Sequence, residues 1–498
     1  MAQVGSAPRS GRGGRGFKSR LPDHVHDPDP SPRRLGFVRF RLWIEVFGVD
    51  CAPCTATSAH YGRHMLTDRY DNELTTTSEQ ARALYVDGID RMLAGDGGIG
   101  PVLDAAIEAD PHFALAHVAR ARHDHLLGHG REARDRMETA ITLAADTTAR
   151  ERRHTEIYAA IISGDIPRSL DLTMEHLAEH PRDAFVVAPA SGVFGSIGFS
   201  GRIGRFEEQR AFLDPLATHY GNDWWFLTVH AFAIAETGDW ERARTLAERA
   251  LELRPTNAHA AHTLAHVLYE GGADTDALEF LTGFVPDSDR DGILHCHLWW
   301  HYALVLMTAG HADAAWDAFT RNCMPDTTTS PAINVFTDAS SFLWRAAIAG
   351  LECSPAIWEA VRDHYETSFR KPIVFVDCHA ALPYAALGDG DKVAATIAVL
   401  DELAEQGRLP AGGFGAQVAR AYDAFANARW ADVIDTLEPM MTELPRIGGS
   451  RAQSDLVTNT LLAAYVNDGR TNDAAALLDR EHDELGRSVT HPVAGLAA

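Results

Sequence analysis

A glycine-centred pattern that recurs every 34 to 38 residues constrains the fold of this 498-residue chain more than any other feature. Gly238 is followed by an aromatic residue after two positions, alanines after five and twelve, and a proline after seventeen, namely Trp240, Ala243, Ala250 and Pro255. The pattern restarts at Gly272 and again at Gly310. This spacing predicts repeated pairs of antiparallel helices, with glycine in the turn, small residues where the two helices touch, and proline after the second helix.

The spacing is typical of tetratricopeptide repeats. Weaker copies extend it toward both ends of the chain, at Gly128, Gly164 and Gly469. Because a single helix pair cannot bury its own apolar face, neighbouring pairs must stack. We therefore predict that residues 65–498 form one all-α, tetratricopeptide-like α-solenoid of stacked antiparallel helix pairs. Between Pro325 and Pro410 the pattern becomes irregular, and the apolar run Ile373–Val376 is expected to be extended.

Residues 1–64 differ in composition from the rest of the chain. They hold ten Lys/Arg and five Asp/Glu in a Gly-, Pro- and Ser-rich stretch, whereas residues 65–498 hold 35 basic and 64 acidic side chains, a net charge of −29. Such a stretch cannot supply a packed core. We expect a disordered basic leader, or an over-early start codon, rather than a targeting peptide. The folded region then opens at Met65, with a first helix starting near Thr77 and Gln80.

Charge and apolar patterning exclude several classes of protein. The formal net charge of −24 argues against a nucleic-acid-binding surface, which needs an excess of Lys and Arg. No apolar stretch reaches the ~18 uninterrupted residues of a membrane span. Apart from the Cys51 and Cys54 pair, the cysteines are isolated, which predicts buried thiols in a reducing compartment rather than a disulfide framework. We expect a cytoplasmic protein with no nucleic-acid or membrane partner; homo-oligomerisation is left open.

Histidine is unusually frequent for an acidic chain, with 25 copies, eight of them close together in the middle of the sequence. His262 and His266 are four residues apart, and so are His297 and His301 one repeat later, so each pair projects from one side of a single helix. His230 lies in the first helix of the preceding repeat. Because the first helices of stacked pairs line the concave wall, we predict that all five histidines face one inner groove.

Histidine pairs of this kind also raise the question of a metal site. Such pairs bind metal only together with a third ligand and supporting carboxylates, and the nearest candidates are Asp338 and the pair Asp377 and His379. Thr263 follows His262, where a zinc-protease motif has glutamate. A single buried histidine is more often a core residue than a ligand. From the sequence we therefore predict a polar pocket with no metal and no cofactor.

Two glycine-containing segments have structural explanations. The segment GSIGFSGRIGR at 195–205 lacks the lysine and hydroxyl of a P-loop, which favours turns or close packing over phosphate binding. In the segment IGGSRAQSD at 447–455, Ser450 is predicted to cap a helix with Gln453 at its third position.

The segments HAAHTLAHVLYE, LHCHLWWHYAL, DASSFLWR, VDCHAAL and GGSRAQSD occur in this order, and they resemble the tetratricopeptide repeat protein 38 family from about Met65 to the C-terminus. The resemblance implies a helical tetratricopeptide-like fold, in a cytosolic or secreted-vesicle setting in animals, and includes bacterial relatives. It implies no settled activity, so no catalytic role is carried over. The shared pattern that it implies includes His262, His266, His297, His301, Asp338, Arg345, Asp377 and His379.

We expect a tetratricopeptide-repeat binding or interaction protein whose concave face carries a histidine-rich pocket for a small ligand or a short partner segment. The inner helices lack the Lys and Arg with which clamp-type repeats hold acidic peptide tails. A closed pocket for a small molecule is more consistent with convergent polar groups on an apolar background. His230, Trp300 and Arg345 are expected to contact this ligand.

Two alternatives stay open at this point. The first is a cofactor-independent hydrolase, lyase or isomerase in which one histidine acts as general base, Asp338 or Asp377 orients it, and Arg345 binds a substrate carboxylate. The candidate catalytic residues are His262, His266, His297, His301, Asp338, Asp377 and His379. The second is a scaffold that uses the outer helices. Convergence of the histidine rings on one place would argue against the scaffold.

Overall fold

The computed structural model of the protein describes residues 65–369, 373–485 and 491–496. These residues lie in one compact unit, Ala59–Ala498. The predicted leader at 1–64, with Cys51 and Cys54, lies outside the described residues. Of the remaining cysteines, Cys296, Cys323, Cys353 and Cys378 carry free thiols.

The described chain opens with a short hairpin, although helices alone were predicted. β1 (Leu66–Thr67) pairs antiparallel with β2 (Glu73–Leu74). Oδ1 of Asp68 accepts hydrogen bonds from the backbone N–H groups of Tyr70, at 2.8 Å, and of Asn72, at 3.0 Å. This aspartate closes the loop between the strands, a local function that helical periodicity does not reveal.

Helices make up most of the described chain after this hairpin. The first of them are α1 (Glu79–Ala94), α2 (Ile99–Ala109), α3 (Ala114–Leu126), α4 (Gly130–Ala144), α5 (Ala149–Ser163), α6 (Ile166–Glu179), α7 (Ala184–Val187), α8 (Arg205–Leu213), α9 (Ala217–Tyr220), α10 (Trp224–Ala235), α11 (Trp240–Leu253) and α12 (Ala258–Glu270). The cap of α1 is Ser78 rather than Thr77, because the Ser78 side chain accepts from the backbone N–H of Ala81.

The remaining helices are α13 (Asp274–Phe284), α14 (His295–Thr308), α15 (Ala312–Asn322), α16 (Ala332–Ile348), α17 (Pro355–Ser368), α18 (Val374–Ala386), α19 (Gly390–Glu405), α20 (Phe414–Ala426), α21 (Trp430–Leu437), α22 (Arg451–Asn467) and α23 (Thr471–Leu485). A 3₁₀ segment, Glu438–Ile447, joins α21 to the loop before α22. In the described part of the chain, no helix has both the length and the apolarity to cross a bilayer.

The turns between paired helices confirm the repeat predicted from glycine spacing. Gly238, Gly272 and Gly310 have φ angles of 87°, 71° and 80°, a left-handed conformation that glycine adopts without steric cost. Ala243 and Ala250 are fully buried where α11 meets its neighbours, so the small residues do lie at helix contacts. The protein is an all-α solenoid of stacked antiparallel pairs.

Regular pairs continue through the region where irregular units were expected. α16 pairs with α17 and α18 with α19, and their turns also contain left-handed glycines, Gly350 and Gly388. The expectation of an extended Ile373–Val376 is wrong beyond its first residue, since α18 begins at Val374. Phe375 and Val376 are buried within the stack, and a helix buried on all sides shows a continuous apolar run rather than helical periodicity.

The glycine-rich segment between α7 and α8 forms turns, as predicted. A Cβ on Gly198 would overlap the carbonyl of Val193, and one on Gly201 would overlap the backbone of Pro410. These glycines therefore permit close backbone approach, which is a packing function.

Helices that are far apart in the sequence contact one another. α12 contacts both α1 and α22, and α16 also contacts α22. Across the last of these joints, the indole N–H of Trp344 donates to Oγ1 of Thr460 at 3.1 Å. The inner face of the middle repeats is therefore covered by a late helix rather than left as an open groove.

Candidate functional site

Four buried imidazoles meet between α12 and α14. They form what we call the histidine cluster, His262, His266, His297 and His301. One ring nitrogen from each lies within 4.8 Å of one nitrogen from each of the others. The Nε2 atoms of His262 and His266 are 3.0 Å apart, so one of them donates an N–H to the other. Four of the five histidines predicted to face a common groove therefore do converge.

Helical geometry explains this convergence. Each helix supplies two histidines at i and i+4, which lie on one face, and α12 and α14 are the first helices of successive repeats. Trp300 stacks on His297, with ring centroids 5.1 Å apart and planes at 12°. Phe232 from α10 stacks on His262 at 5.7 Å. These apolar rings restrict the orientations that the imidazoles can adopt.

Carboxylates support two imidazoles of the cluster. Nδ1–H of His266 donates to Oε1 of Glu270 at 2.9 Å, and Nδ1–H of His297 donates to Oδ2 of Asp338 at 2.8 Å. In a neutral imidazole with its proton on Nδ1, the lone pair is on Nε2. Asp338 thus accepts from a ring of the cluster, and Glu270 has an equivalent position that was not predicted from the sequence.

Glu236, at the end of α10, adds a second carboxylate near His266. One ligand atom each from Glu236, His266 and Glu270 lies within 4.8 Å of the others. Burial, followed by the charge of Glu270, raises the pKa of the Glu236 carboxyl to about 8. Nη2 of Arg451, from α22, donates to the backbone carbonyl of Glu236 at 3.0 Å.

Burial also sets the protonation of the histidines. Desolvation lowers the pKa of His266 to about 4, and it holds the pKa values of His262 and His301 well below the ordinary value of 6.5. Neighbouring imidazoles lower the pKa values of His262 and His301 further, whereas at His266 the Glu236 carboxyl opposes the effect of burial. These rings are neutral near pH 7, and a neutral imidazole offers one lone pair to a ligand.

Several buried polar atoms around the cluster make no hydrogen bond to any described residue. They are Nε2 of His301, both carboxyl oxygens of Glu236, Oδ1 of Asp338 and Nε1 of Trp300. Most buried polar atoms in folded proteins have a partner, so these exceptions make the histidine cluster a candidate binding site.

The structure does not bring every predicted site residue into the cluster. Nε2 of His230 is bonded to Asp214 at 2.7 Å, one repeat away. Asp377 accepts from the Tyr365 hydroxyl at 2.7 Å and from the backbone N–H of Ile373, just before α18, at 2.5 Å. His230 and Asp377 therefore lie outside the histidine cluster, and both have other hydrogen-bond partners.

His379 and Arg345 lie on neighbouring helices with their own partners. Nδ1–H of His379 donates to the carbonyl of Phe375 at 2.6 Å. The guanidinium of Arg345 donates to Ser341 and, at 2.6 Å, to the carbonyl of Ala452, with its carbon 5.7 Å from the Trp300 ring centroid. Arg345, which was predicted from the sequence to contact a ligand, thus links α16 to α22.

The start of α22 covers the site. Ser450 and Gln453 form the predicted capping box, with side-chain and backbone bonds in both directions. One turn later, Asp455 accepts from the hydroxyl of Tyr269, on α12, at 3.3 Å. The GGSRAQSD segment therefore closes the interior over the histidines.

These features define a tetratricopeptide-type helical-repeat protein with a polar, histidine-lined interior. A tetratricopeptide repeat family profile matches residues 235–291, which include α11, α12 and α13. Among solved structures, the human IFIT1 dimer with m7Gppp-AAAA is 12% identical, with a TM-score of 0.37, over 84% of this chain and 98% of IFIT1. A monomeric IFIT1 mutant with Gppp-AAAA gives the same values. The TPR domain of P58(IPK) is 16% identical over 80% of this chain and 89% of that domain, with a TM-score of 0.20.

Proposed function

We propose that this chain is a cytoplasmic tetratricopeptide-like binding protein whose interior, at the histidine cluster, holds a small ligand. Membership of the tetratricopeptide repeat protein 38 family is part of the same proposal, supported by the five ordered motifs. Four of those motifs contain residues that surround the cluster or cover it: His262, His297, Asp338 and Ser450.

The observation that carries the proposal is the convergence of the four imidazoles among buried polar atoms without hydrogen-bond partners. Burying such atoms costs about 1–3 kcal/mol each when they are unsatisfied. A protein that retains several of them around one centre recovers this free energy when a ligand completes their bonds.

A small ligand fits this interior better than a short partner segment. The bond between Tyr269 and Asp455 and the contacts of Arg451 and Arg345 hold α22 across the inner face. An extended peptide would need this helix to move away, whereas a small species needs only a transient opening. We therefore favour a small ligand over a peptide.

Binding also fits better than catalysis by a histidine general base. A general base works best with a pKa near the working pH. His266 and His379, both candidates for that role, have pKa values lowered to about 4 by burial. Such rings are weak bases that remain neutral, which suits them to hold a ligand through a lone pair.

A thermal-shift screen of the full chain against a metabolite library tests this proposal. We expect at least one compound to raise the melting temperature of the wild type and to lose this effect in both His266→Ala and His301→Ala. His230→Ala is the matched control, because His230 is equally buried and bonded to a carboxylate but lies outside the cluster. Compounds that stabilise all four proteins equally would place their site elsewhere and contradict the proposal.

A further inference from the structure

We propose that the histidine cluster binds one divalent first-row transition-metal ion, through a lone pair on each imidazole. This inference rests on the proposed function in that both use the same interior site, and it assigns the chemistry of the species bound there. No metal was predicted from the sequence, because buried histidines are more often core residues than ligands. The structure brings one ring nitrogen from each of the four histidines within 4.8 Å of the others.

The separation of the four nitrogens suits a single ion. Zinc bonds imidazole nitrogen at 2.0–2.1 Å, so the nitrogens of a tetrahedral site are about 3.3 Å apart. In the cluster one pair lies at 3.0 Å and all lie within 4.8 Å. Side-chain shifts of about 1 Å would produce the coordinated geometry. The space between nitrogens this close accommodates a single ion.

The lone pairs of the cluster exceed the donors available to them. The carboxylates of Glu270 and Asp338 fix a proton on Nδ1 of His266 and of His297, which leaves Nε2 of both rings as an acceptor. His262 can donate to His266 through Nε2, but Nε2 of His301 has no partner among the described residues. A cation satisfies all four lone pairs at once, which hydrogen bonds within the cluster cannot do.

The supporting carboxylates match the usual surroundings of a metal site. Metal-bound histidines nearly always donate their second N–H to a carboxylate, a carbonyl or water, which fixes the ring and raises its basicity. Glu270 does this for a ring on α12, and Asp338 for a ring on α14. Glu236 adds a further buried carboxyl group beside His266, so acidic side chains lie around the cluster, as is usual near a bound divalent cation.

The donor set selects the class of ion. Imidazole nitrogen suits Zn²⁺, Cu²⁺, Ni²⁺ and Fe²⁺, whereas Mg²⁺ and Ca²⁺ require oxygen ligands. An all-imidazole set without cysteine thiolate or ligating carboxylate therefore favours the late first-row divalent ions. Which of these the protein holds in the cell depends on supply as well as on affinity.

Metal titration of the untagged full chain tests the inference. The chain is dialysed against a chelator, checked for retained helicity by circular dichroism, and titrated with Co²⁺ and with Zn²⁺. We expect one ion per chain, visible d–d absorption of bound Co²⁺, and its displacement by Zn²⁺. The double variant His262→Gln/His301→Gln should bind neither ion, whereas His230→Gln should bind both like the wild type.

The variant Asp338→Asn distinguishes a loss of metal affinity from a loss of folding. It keeps the side-chain shape and removes only the charge behind His297, so we expect affinity for Zn²⁺ to fall by about 10- to 100-fold with one ion still bound. No saturable Co²⁺ or Zn²⁺ binding by the folded wild type would overturn the inference. Undiminished binding by the double variant would overturn it as well.

The two experiments can refute the small-ligand proposal and the metal proposal independently. A metabolite that stabilises the wild type through the cluster, with no metal bound, would leave the small-ligand function intact and refute the ion. One bound metal ion per chain with no stabilising metabolite would support the ion and refute an organic ligand at this site.

Discussion

Ala428 occupies a turn position where the neighbouring repeats have glycine. Its φ is +53°, and it is exposed in the turn between α20 and α21. An L-residue in the left-handed region destabilises the folded state by roughly 1–2 kcal/mol. Glycine avoids this strain, but its greater conformational entropy in the unfolded chain offsets part of the gain. We therefore expect Ala428→Gly to raise the free energy of unfolding by about 0.5–1 kcal/mol in urea titrations. The reverse change at the matched turn, Gly388→Ala, should lower it by about 1 kcal/mol.

His379 makes the fold sensitive to acid. Burial lowers its pKa to about 4, from 6.5 in the unfolded chain. A group whose folded-state pKa is lowered in this way is protonated more readily when unfolded, so stability is lost as the pH falls from 6.5 toward 4. For this one ring the loss between pH 7 and pH 5 is about 2 kcal/mol.

The substitution His379→Gln tests this linkage. The glutamine amide can still donate to the Phe375 carbonyl but does not titrate, so the variant should lose about 2 kcal/mol less stability than the wild type between pH 7 and pH 5. Urea midpoints at both pH values measure the difference, and His112→Gln controls for the removal of an exposed histidine. Equal pH dependence in the His379 variant and the wild type would contradict the prediction.

At the scale of the helix, the cap of α22 stabilises the element that covers the site. The Ser450 side chain accepts from the backbone N–H of Gln453, whose own side chain accepts from the Ser450 backbone N–H. We expect Ser450→Ala to cost about 1–2 kcal/mol of stability in urea titrations, because the first turn of α22 is buried and loses its acceptor. Ser354→Ala is the control, since Ser354 precedes α17 without a capping bond and should change stability by less than about 0.5 kcal/mol.

The repeat could be predicted from sequence wherever its signals are local. Gly238, Gly272 and Gly310 mark turns because few other residues adopt a left-handed φ there without cost. Where an alanine takes this conformation, as at Ala428, the signal disappears although the turn remains. The buried start of α18 has no amphipathic period, so its apolar residues did not distinguish helix from strand.

The candidate site could be predicted in part for the same reason. The spacing of the two histidine pairs placed each pair on one helix face, and the repeat aligned the two helices. Glu270 follows His266 by four residues, so helical spacing alone could have identified it. Glu236 and the cover supplied by α22 depend on contacts between elements far apart in sequence, for which the sequence contains no comparable periodic signal.

At the scale of the whole molecule, contact between α22 and the middle repeats changes how the solenoid should unfold. Open repeat arrays have nearest-neighbour contacts and fray from their ends. Here Thr460, on α22, accepts from the buried indole N–H of Trp344, on α16, more than a hundred residues earlier. A long-range contact of this kind makes the stability of α16 depend on the C-terminal repeat.

The substitution Thr460→Val tests this coupling. It keeps the shape of the side chain but leaves the Trp344 N–H buried without a partner, which should cost about 1–3 kcal/mol. Because α22 also covers α12, we expect amide hydrogen exchange to accelerate in α12 and α16 as well as in α22 and α23. Thr458→Val, at an equally buried position on the same helix, controls for the loss of a hydroxyl. Acceleration confined to α22 and α23 would mean that the last repeat frays independently, as in an open array.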